Sequence, residues 1–338
     1  MGTIAEAARI PIIDLELAHT GSPEDVAKVA HDVYQAFKHV GFAYIKNHGV
    51  PQELINEAFG WSSKFFALPQ ADKEKAPHPP EGWYHRGYSG IGREKVVQMV
   101  FDKDGIAEKR KVPDVKESFE IGSESDDTLR NIWVPEEILP GFRGFFNNFF
   151  QICSGLETLM LRLIAIGMGL EENFLLDYHK NHTNQCRLLH YPPVEEELLR
   201  QGKAERIAAH SDFGTMTILF QDEVGGLEVE DIHDKGKFIP APHIPGTAVV
   251  NIGDLLMRWS NDELKSTLHR VRAPPLVDNE GESKGRMTKA RYSIPYFISP
   301  DRDRLIECLP NCHGPDRPKK YEAITSSDYI SMRLNATY

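Results

Sequence analysis

The chain carries two hydrophobic periods, and the change from one to the other divides it. Near the start, Ile10, Ile12, Ile13 and Leu15 form a short strand-like run. Val26, Val29, Ala30, Val33, Phe37 and Val40 then recur at helical spacing, with Ser22 or Asp25 placed to cap the segment and Gly41 placed to end it. Phe42-Ala43-Tyr44-Ile45 reads as a strand closed by Asn47-His48-Gly49, and a second helix is expected over Gln52–Phe66. From about 77 to 127 the pattern fades into Pro, Gly, Lys and Glu, including Arg86-Gly87-Tyr88-Ser89-Gly90. Aromatic residues persist there, so the segment reads as long ordered loops with one or two strands, 118–121 among them. Long loops in compact domains are often functional.

Phe145, Phe149, Ile152, Leu156, Leu159, Leu163 and Ile166 step by four and three, which predicts a long amphipathic helix whose stripe packs into a core. After residue 185 the period shortens. Strand-like runs at 215–220, 226–229, 247–252 and 291–298 alternate with turns, as in an antiparallel sandwich or barrel. There is no internal repeat, low-complexity tract or linker.

Composition adds limits. The 338 residues are 41% hydrophobic and 26% charged, as in a soluble globular protein of one large or two modest domains. No uninterrupted apolar run reaches the roughly 18 residues of a membrane span, and the first ten residues lack a secretory signal pattern. Four cysteines in so long a chain make no disulfide framework. The expectation is a reduced, cytoplasmic protein without a membrane partner. A formal net charge of −11 argues against a nucleic-acid partner, which would need a basic face.

Candidate chemistry centres on His210-Ser211-Asp212. In an extended chain, residues two apart point to the same side, so His210 and Asp212 reach one metal together. His269, in the strand-like 266–271, supplies a third ligand. Two histidines and a carboxylate with open positions suit iron(II) and oxygen, although the ligand types suit zinc as well. Arg291 and Ser293 are another same-side pair, and a guanidinium beside a hydroxyl clamps a carboxylate. A co-substrate that chelates iron at one end and carries a second carboxylate needs that clamp. 2-Oxoglutarate has this shape.

These residues, in order, resemble a known family. Ile10-Pro11-Ile12-Ile13-Asp14, the run from Gly41 to Val50, Phe65-Phe66-Ala67-Leu68-Pro69, Lys116-Glu117-Ser118-Phe119, His190-Tyr191-Pro192-Pro193, the HxD pair, Gly225-Gly226-Leu227-Glu228-Val229, the run from Pro245 to Asp254, the run from Ser266 to Val271 and Arg291-Tyr292-Ser293 are similar to the isopenicillin N synthase-like branch of the 2-oxoglutarate and iron(II)-dependent dioxygenases. The resemblance covers nearly the whole chain. It implies a mainly β fold with flanking helices and a double-stranded β-helix (jelly-roll) core, in one catalytic unit over 1–338. Within that unit it implies an N-terminal α/β part with substrate loops (1–130), a long packing helix with its connections (131–184), the jelly-roll core (185–300) and a C-terminal segment (301–338).

The resemblance further implies that His210, Asp212 and His269 hold iron(II). Arg291 and Ser293 would clamp the distal carboxylate of 2-oxoglutarate, assisted by Tyr191. Two positions depart from the family pattern: Leu189 replaces an Asn, and His190 replaces a frequent Tyr. Arg187, Arg86, Phe213 and Phe297 are the candidate substrate residues, each arginine weighed against a structural ion pair. The implied reaction is hydroxylation, desaturation or cyclisation of a small metabolite through hydrogen-atom abstraction, in a monomer of secondary metabolism. Asp212 argues against halogenation, since related halogenases carry a small residue there. The alternative is an iron oxidase of the same fold that does not consume 2-oxoglutarate. More distant alternatives are a zinc hydrolase and a catalytically silent binding protein.

Other candidates read as structural. His179 and His182 are expected at the surface, His48 in a turn, and Cys308, Cys312 and His313 as no metal site.

Overall fold

The computed structural model describes residues 10–95, 103–109, 111–273 and 285–337. Helix α1 (Pro23–His39) starts in a capping box. The Ser22 hydroxyl accepts the Asp25 N–H at 3.3 Å, while the Ser22 N–H donates to the Asp25 carboxylate at 3.0 Å. Of the two expected caps, Ser22 is therefore the cap and Asp25 its partner. Gly41 ends the helix at φ +76°, and a Cβ there would fall 2.3 Å from the Lys265 carbonyl oxygen, so no other residue fits. Helix α2 is Gln52–Phe66, and α3 is Phe142–Gly167.

The stripe on α3 is displaced from its expected line. Phe142, Phe146, Phe149, Cys153, Leu156, Met160 and Leu163 are buried, whereas Phe145, Ile152, Leu159 and Ile166 lie half-buried beside them. The helix is apolar over a wide arc, and an aromatic cluster sets its rotation: Phe142 stacks on Phe65 at 5.4 Å, with Phe119 at 5.4 Å and Phe146 at 4.9 Å edge-on.

The strands are β1 (Ile12–Asp14), β2 (Phe42–Lys46), β3 (Gly87–Ser89), β4 (Glu117–Gly122), β5 (Gln185–Tyr191), β6 (Ile207–His210), β7 (Met216–Gln221), β8 (Leu227–Glu230), β9 (Phe238–Pro240), β10 (Thr247–Ile252), β11 (His269–Val271) and β12 (Arg291–Ile298). One sheet has the order β1-β2-β10-β7-β12-β5-β4-β3, and a second has the order β6-β11-β8-β9. Apart from the parallel pair β1 and β2, neighbours are antiparallel. Loop segment 77–127 thus contributes two strands and a short helix, Lys103–Lys109; its residues 96–102 and 110 lie outside the described set.

Period-two alternation sorts the large sheet into two faces. Ile218, Phe220, Val250, Ile252, Ile294 and Tyr296 pack toward α1, α2 and α3. Leu189, Tyr191 and Val249 face the small sheet, meeting Ile207, Leu227, Val229 and Val271. The sheet is buried on both sides, which accounts for strands that read as nearly continuous apolar runs.

His179 corrects an expectation. It is buried, with Nδ1 donating to the Leu175 carbonyl at 2.7 Å and Nε2 meeting the Thr215 hydroxyl at 2.8 Å. Burial pushes its pKa down to about 4. The unfolded chain therefore takes up a proton that the fold refuses as pH falls below about 6.5, and stability is lost from there to about pH 4. The expected loss is up to about 3 kcal/mol. Thermal unfolding of wild type and His179→Asn between these limits checks it: the slope of stability against pH flattens in the variant.

Candidate metal and co-substrate site

His210 ends β6 and His269 begins β11, and the two are direct cross-strand partners, with ring centroids 4.3 Å apart. The four residues of β6, Ile207 to His210, span the three of β11, His269 to Val271, so one extra residue is bulged out of β6 beside the site. Nδ1 of His210 donates to the Ala208 carbonyl at 2.8 Å, and Nδ1 of His269 donates to the Thr267 carbonyl at 3.3 Å. A carbonyl only accepts, so both rings carry hydrogen on Nδ1 and present the Nε2 lone pair. Asp212 Oδ1 lies 3.9 Å from His210 Nε2 and 3.7 Å from His269 Nε2. Its Oδ2 is engaged by the Thr217 hydroxyl at 2.5 Å and the Asn251 amide at 2.7 Å, leaving one oxygen to face the histidines.

Burial pushes the His210 pKa down to about 3, helped by His269, so the ring is neutral at physiological pH. Burial alone would raise Asp212, but the facing imidazoles and the hydrogen bonds from Asn251 and Thr217 hold it below the ordinary carboxylate value. One oxygen and two imidazole nitrogens, all within 4.8 Å of one another, form among the described residues the only such cluster of His, Cys, Asp or Glu. The set fits a divalent metal of intermediate softness.

The clamp lies in the same cavity, which has a volume of about 340 Å³. On β12 the alternation turns Arg291, Ser293, Pro295 and Phe297 inward, and on β5 it does the same for Gln185, Arg187, Leu189 and Tyr191. Arg291 is 1% exposed; it donates to Ser293 Oγ at 3.1 Å and to Gln221 Oε1 at 3.2 Å, and its Nε has no partner. Gln221 is itself fixed by donating to the Ala241 carbonyl at 3.0 Å. Tyr191 presents its ring 5.0 Å from the Arg291 guanidinium. Among the described residues no carboxylate pairs with Arg291. A buried cation with an orphaned N–H and only neutral hydrogen-bond partners is built for an anion that comes from outside.

Sequence reasoning missed several contributors. Thr217, Gln221 and Asn251 hold Asp212 and Arg291; their signal was a polar residue at the inward position of an otherwise apolar strand. Arg206 was also missed. It is fully buried, donates to the Lys289 carbonyl at 2.6 Å, leaves Nε and Nη1 unpartnered, and shares the Tyr191 ring with Arg291. Burial, and then Arg291, push its pKa down to about 10.

The structure separates the two substrate arginines. Arg187 lines the cavity with its guanidinium 5.5 Å from the Phe297 ring, and it is also ion-paired, with Glu120 at 2.9 Å and Glu94 at 3.2 Å. Arg86 lies outside the cavity wall. It is fully buried, paired with Asp126 at 3.4 Å, and seated over Gly122, where a Cβ would meet its Nη2 at 1.8 Å. Phe213 and Phe297 both line the cavity. His190 points the other way, to Glu117 at 2.7 Å, and stacks on Tyr292.

Comparisons with known proteins agree with this geometry. Two family models match: the non-haem dioxygenase in morphine synthesis N-terminal family over residues 10–137, and the 2OG-Fe(II) oxygenase superfamily over residues 182–300. A 2-oxoglutarate-dependent dioxygenase, frbA, of Dothideomycetidae sp. (strain 11243) is 37% identical over 332 residues, covering 97% of each chain. A proline hydroxylase, buaE, of Petromyces alliaceus is 41% identical over 308 residues, covering 90% of this chain and 92% of its own. Among solved structures, a full-length Neurospora crassa protein in complex with alpha-KG and thymine superposes with a TM-score of 0.86 at 39% identity, over 97% of each chain.

Proposed function

Because the chain belongs to the 2OG-Fe(II) oxygenase superfamily, and is thereby an oxidoreductase using iron(II) and 2-oxoglutarate, we propose that it hydroxylates an unactivated carbon of a small metabolite. Desaturation or ring closure is the variant outcome on the same residues. The observation that carries this reading is that one cavity holds both the metal cluster, from β6, β11 and the loop after β6, and the buried Arg291 guanidinium of β12, which has no carboxylate partner among the described residues.

His210, Asp212 and His269 would hold iron(II), and the bound metal supplies oxygen activation and hydrogen-atom abstraction. Thr217 and Asn251 keep the outer carboxylate oxygen occupied and so fix which oxygen faces the metal. Arg291 and Ser293 take the distal carboxylate of 2-oxoglutarate, and Gln221 and Tyr191 hold the guanidinium in the plane that this contact needs. Arg187, Phe213 and Phe297 wall the substrate. Glu94 and Glu120 neutralise Arg187, so it serves as a hydrogen-bond donor at a fixed position more than as a free cation for a substrate carboxylate. The two sheets, with strands from β5 to β12 passing between them, support a jelly-roll core over 185–300. A family that holds a proline hydroxylase and a thymine complex points to small, ring-containing substrates, in secondary metabolism.

The test is turnover by the iron-loaded protein with 2-oxoglutarate and labelled dioxygen, over a panel of cyclic amino acids, their peptides and pyrimidines. The expected result is succinate release stimulated by one substrate group, with label in that product. Succinate release that no ring-containing compound stimulates would overturn the substrate reading. Product that lacks both label and a new double bond or ring would overturn the reaction.

A further inference from the structure

Helix α5 (Ser326–Thr337) follows Ile324–Thr325, which pairs antiparallel with Leu305–Ile306, and walls one side of the cavity with Ser327, Ile330, Ser331 and Leu334. Its opposite side is anchored by polar contacts. Tyr329 and Arg333, one turn apart, both reach Asp254, the first residue of α4 (Asp254–Trp259). All three are buried, Arg333 to 1% exposure.

The same contacts reach the metal cluster's backbone from two directions. Arg333 donates to the Asp254 carboxylate through Nη1 and to the Ser211 carbonyl through Nη2 at 3.4 Å, and it lies 4.2 Å from the Phe213 ring. It therefore touches the residues on both sides of Asp212. Asp254 accepts the Ser211 hydroxyl at 3.0 Å and the Ser266 hydroxyl at 2.7 Å, and its N–H donates to the Asp212 carbonyl at 2.8 Å. Ser266 lies three residues before His269. One buried carboxylate thus ties together the His210–Asp212 loop, the approach to His269 and the C-terminal helix.

We propose that Arg333 is a positioning residue for the metal centre, and that docking of α5 and metal binding are coupled through Asp254. The proposal rests on His210, Asp212 and His269 being the metal ligands. Arg333 donates to Asp254 and to the Ser211 carbonyl, beside the ligand residues. It acts on the backbone that sets where Asp212 points, and losing it leaves Asp254 a buried carboxylate without its cation. Coupling of this kind is reciprocal: whatever the helix contributes to metal affinity, the metal contributes to helix docking. Loss of a group that orients metal ligands lowers affinity by about ten- to a hundredfold.

Two measurements on the apo-protein test this. The first is backbone hydrogen exchange of residues 326–337 in wild type and Arg333→Met, with and without Mn(II). The second is Co(II) affinity of wild type, Arg333→Met and Arg333→Lys by competition with a chelating dye. The expected results are slower helix exchange when Mn(II) is bound, and Co(II) affinity lowered by roughly tenfold in Arg333→Met. The loss in Arg333→Lys is smaller, since lysine restores the charge but not the second contact to Ser211. Helix exchange identical with and without Mn(II) overturns the coupling, as does Arg333→Met binding Co(II) like wild type while its helix exchanges fast. If Arg333→Met does not fold, the wild-type exchange comparison decides alone. A wild type that binds neither ion overturns the ligand assignment itself and the coupling with it.

Discussion

Asp212→Ala is expected to lose iron(II) binding by more than about a hundredfold, and with it succinate formation. The estimate follows from the loss of a charged ligand, which exceeds the ten- to hundredfold cost of removing an orienting partner. Asp212 is the only carboxylate among the three ligand candidates, and two neutral imidazoles do not replace its charge. The truncation also leaves the Thr217 hydroxyl and the Asn251 amide, both buried, without their shared acceptor. Some fall in melting temperature is therefore expected as well. Metal content after anaerobic reconstitution, together with dye competition, checks the result. A variant that retains iron at wild-type affinity would remove Asp212 from the ligand set.

Arg291→Ala is expected to raise the 2-oxoglutarate concentration needed for half-maximal succinate formation by about 30-fold or more, while iron affinity stays near wild type. Removing one member of a buried, hydrogen-bonded charge pair costs about 2 kcal/mol or more, which is that factor. Arg291→Lys separates geometry from charge. An ammonium keeps the charge but has no planar fork, and Ser293 and Gln221 hold the fork in place, so lysine is expected to recover only part of the loss. Titration of the visible absorption band of the anaerobic iron complex with 2-oxoglutarate measures the affinity directly. Equal affinities in wild type and both variants would assign the distal carboxylate to another cation, and Arg206 would be the one to examine next.

The parts of this site that were legible in the sequence share one cause. Arg291 with Ser293 is a same-side pair on β12, and His210 with Asp212 keeps the same spacing across the end of β6, where the chain continues past the strand. A spacing of two is a local property that survives folding. The polar partners Thr217, Asn251 and Gln221 obey the same rule, yet a lone polar residue in an apolar run names no partner until the sheet order is known. Arg86, in a Gly-rich loop, and Arg187, four residues before Tyr191, both read as substrate candidates. What separates them is Gly122, which opens a slot that Arg86 fills away from the cavity. The C-terminal helix was illegible for a different reason. Its anchoring face is polar, with Arg333 and Tyr329 on Asp254, so hydrophobic periodicity has nothing to register. His179 misled in the same way, since a buried histidine and an exposed one look alike until Leu175 and Thr215 surround it.

The inward row of β5, β7, β10 and β12 also divides the enzyme by how it can change. Inserting one residue in any of these strands would exchange its whole inward set with its core-facing set, removing that strand's share of the clamp, the substrate wall or the support of Asp212 and breaking the core together. The chemistry-bearing wall can therefore vary only by substitution, one position at a time. Another part of the wall is made of loop residues such as Trp83 and Leu129, which are not bound to that register. Length is free to vary there. New substrates are therefore most readily reached by lengthening, shortening or exchanging these segments around an unchanged catalytic wall, a route open equally to natural divergence and to chimeras built in the laboratory.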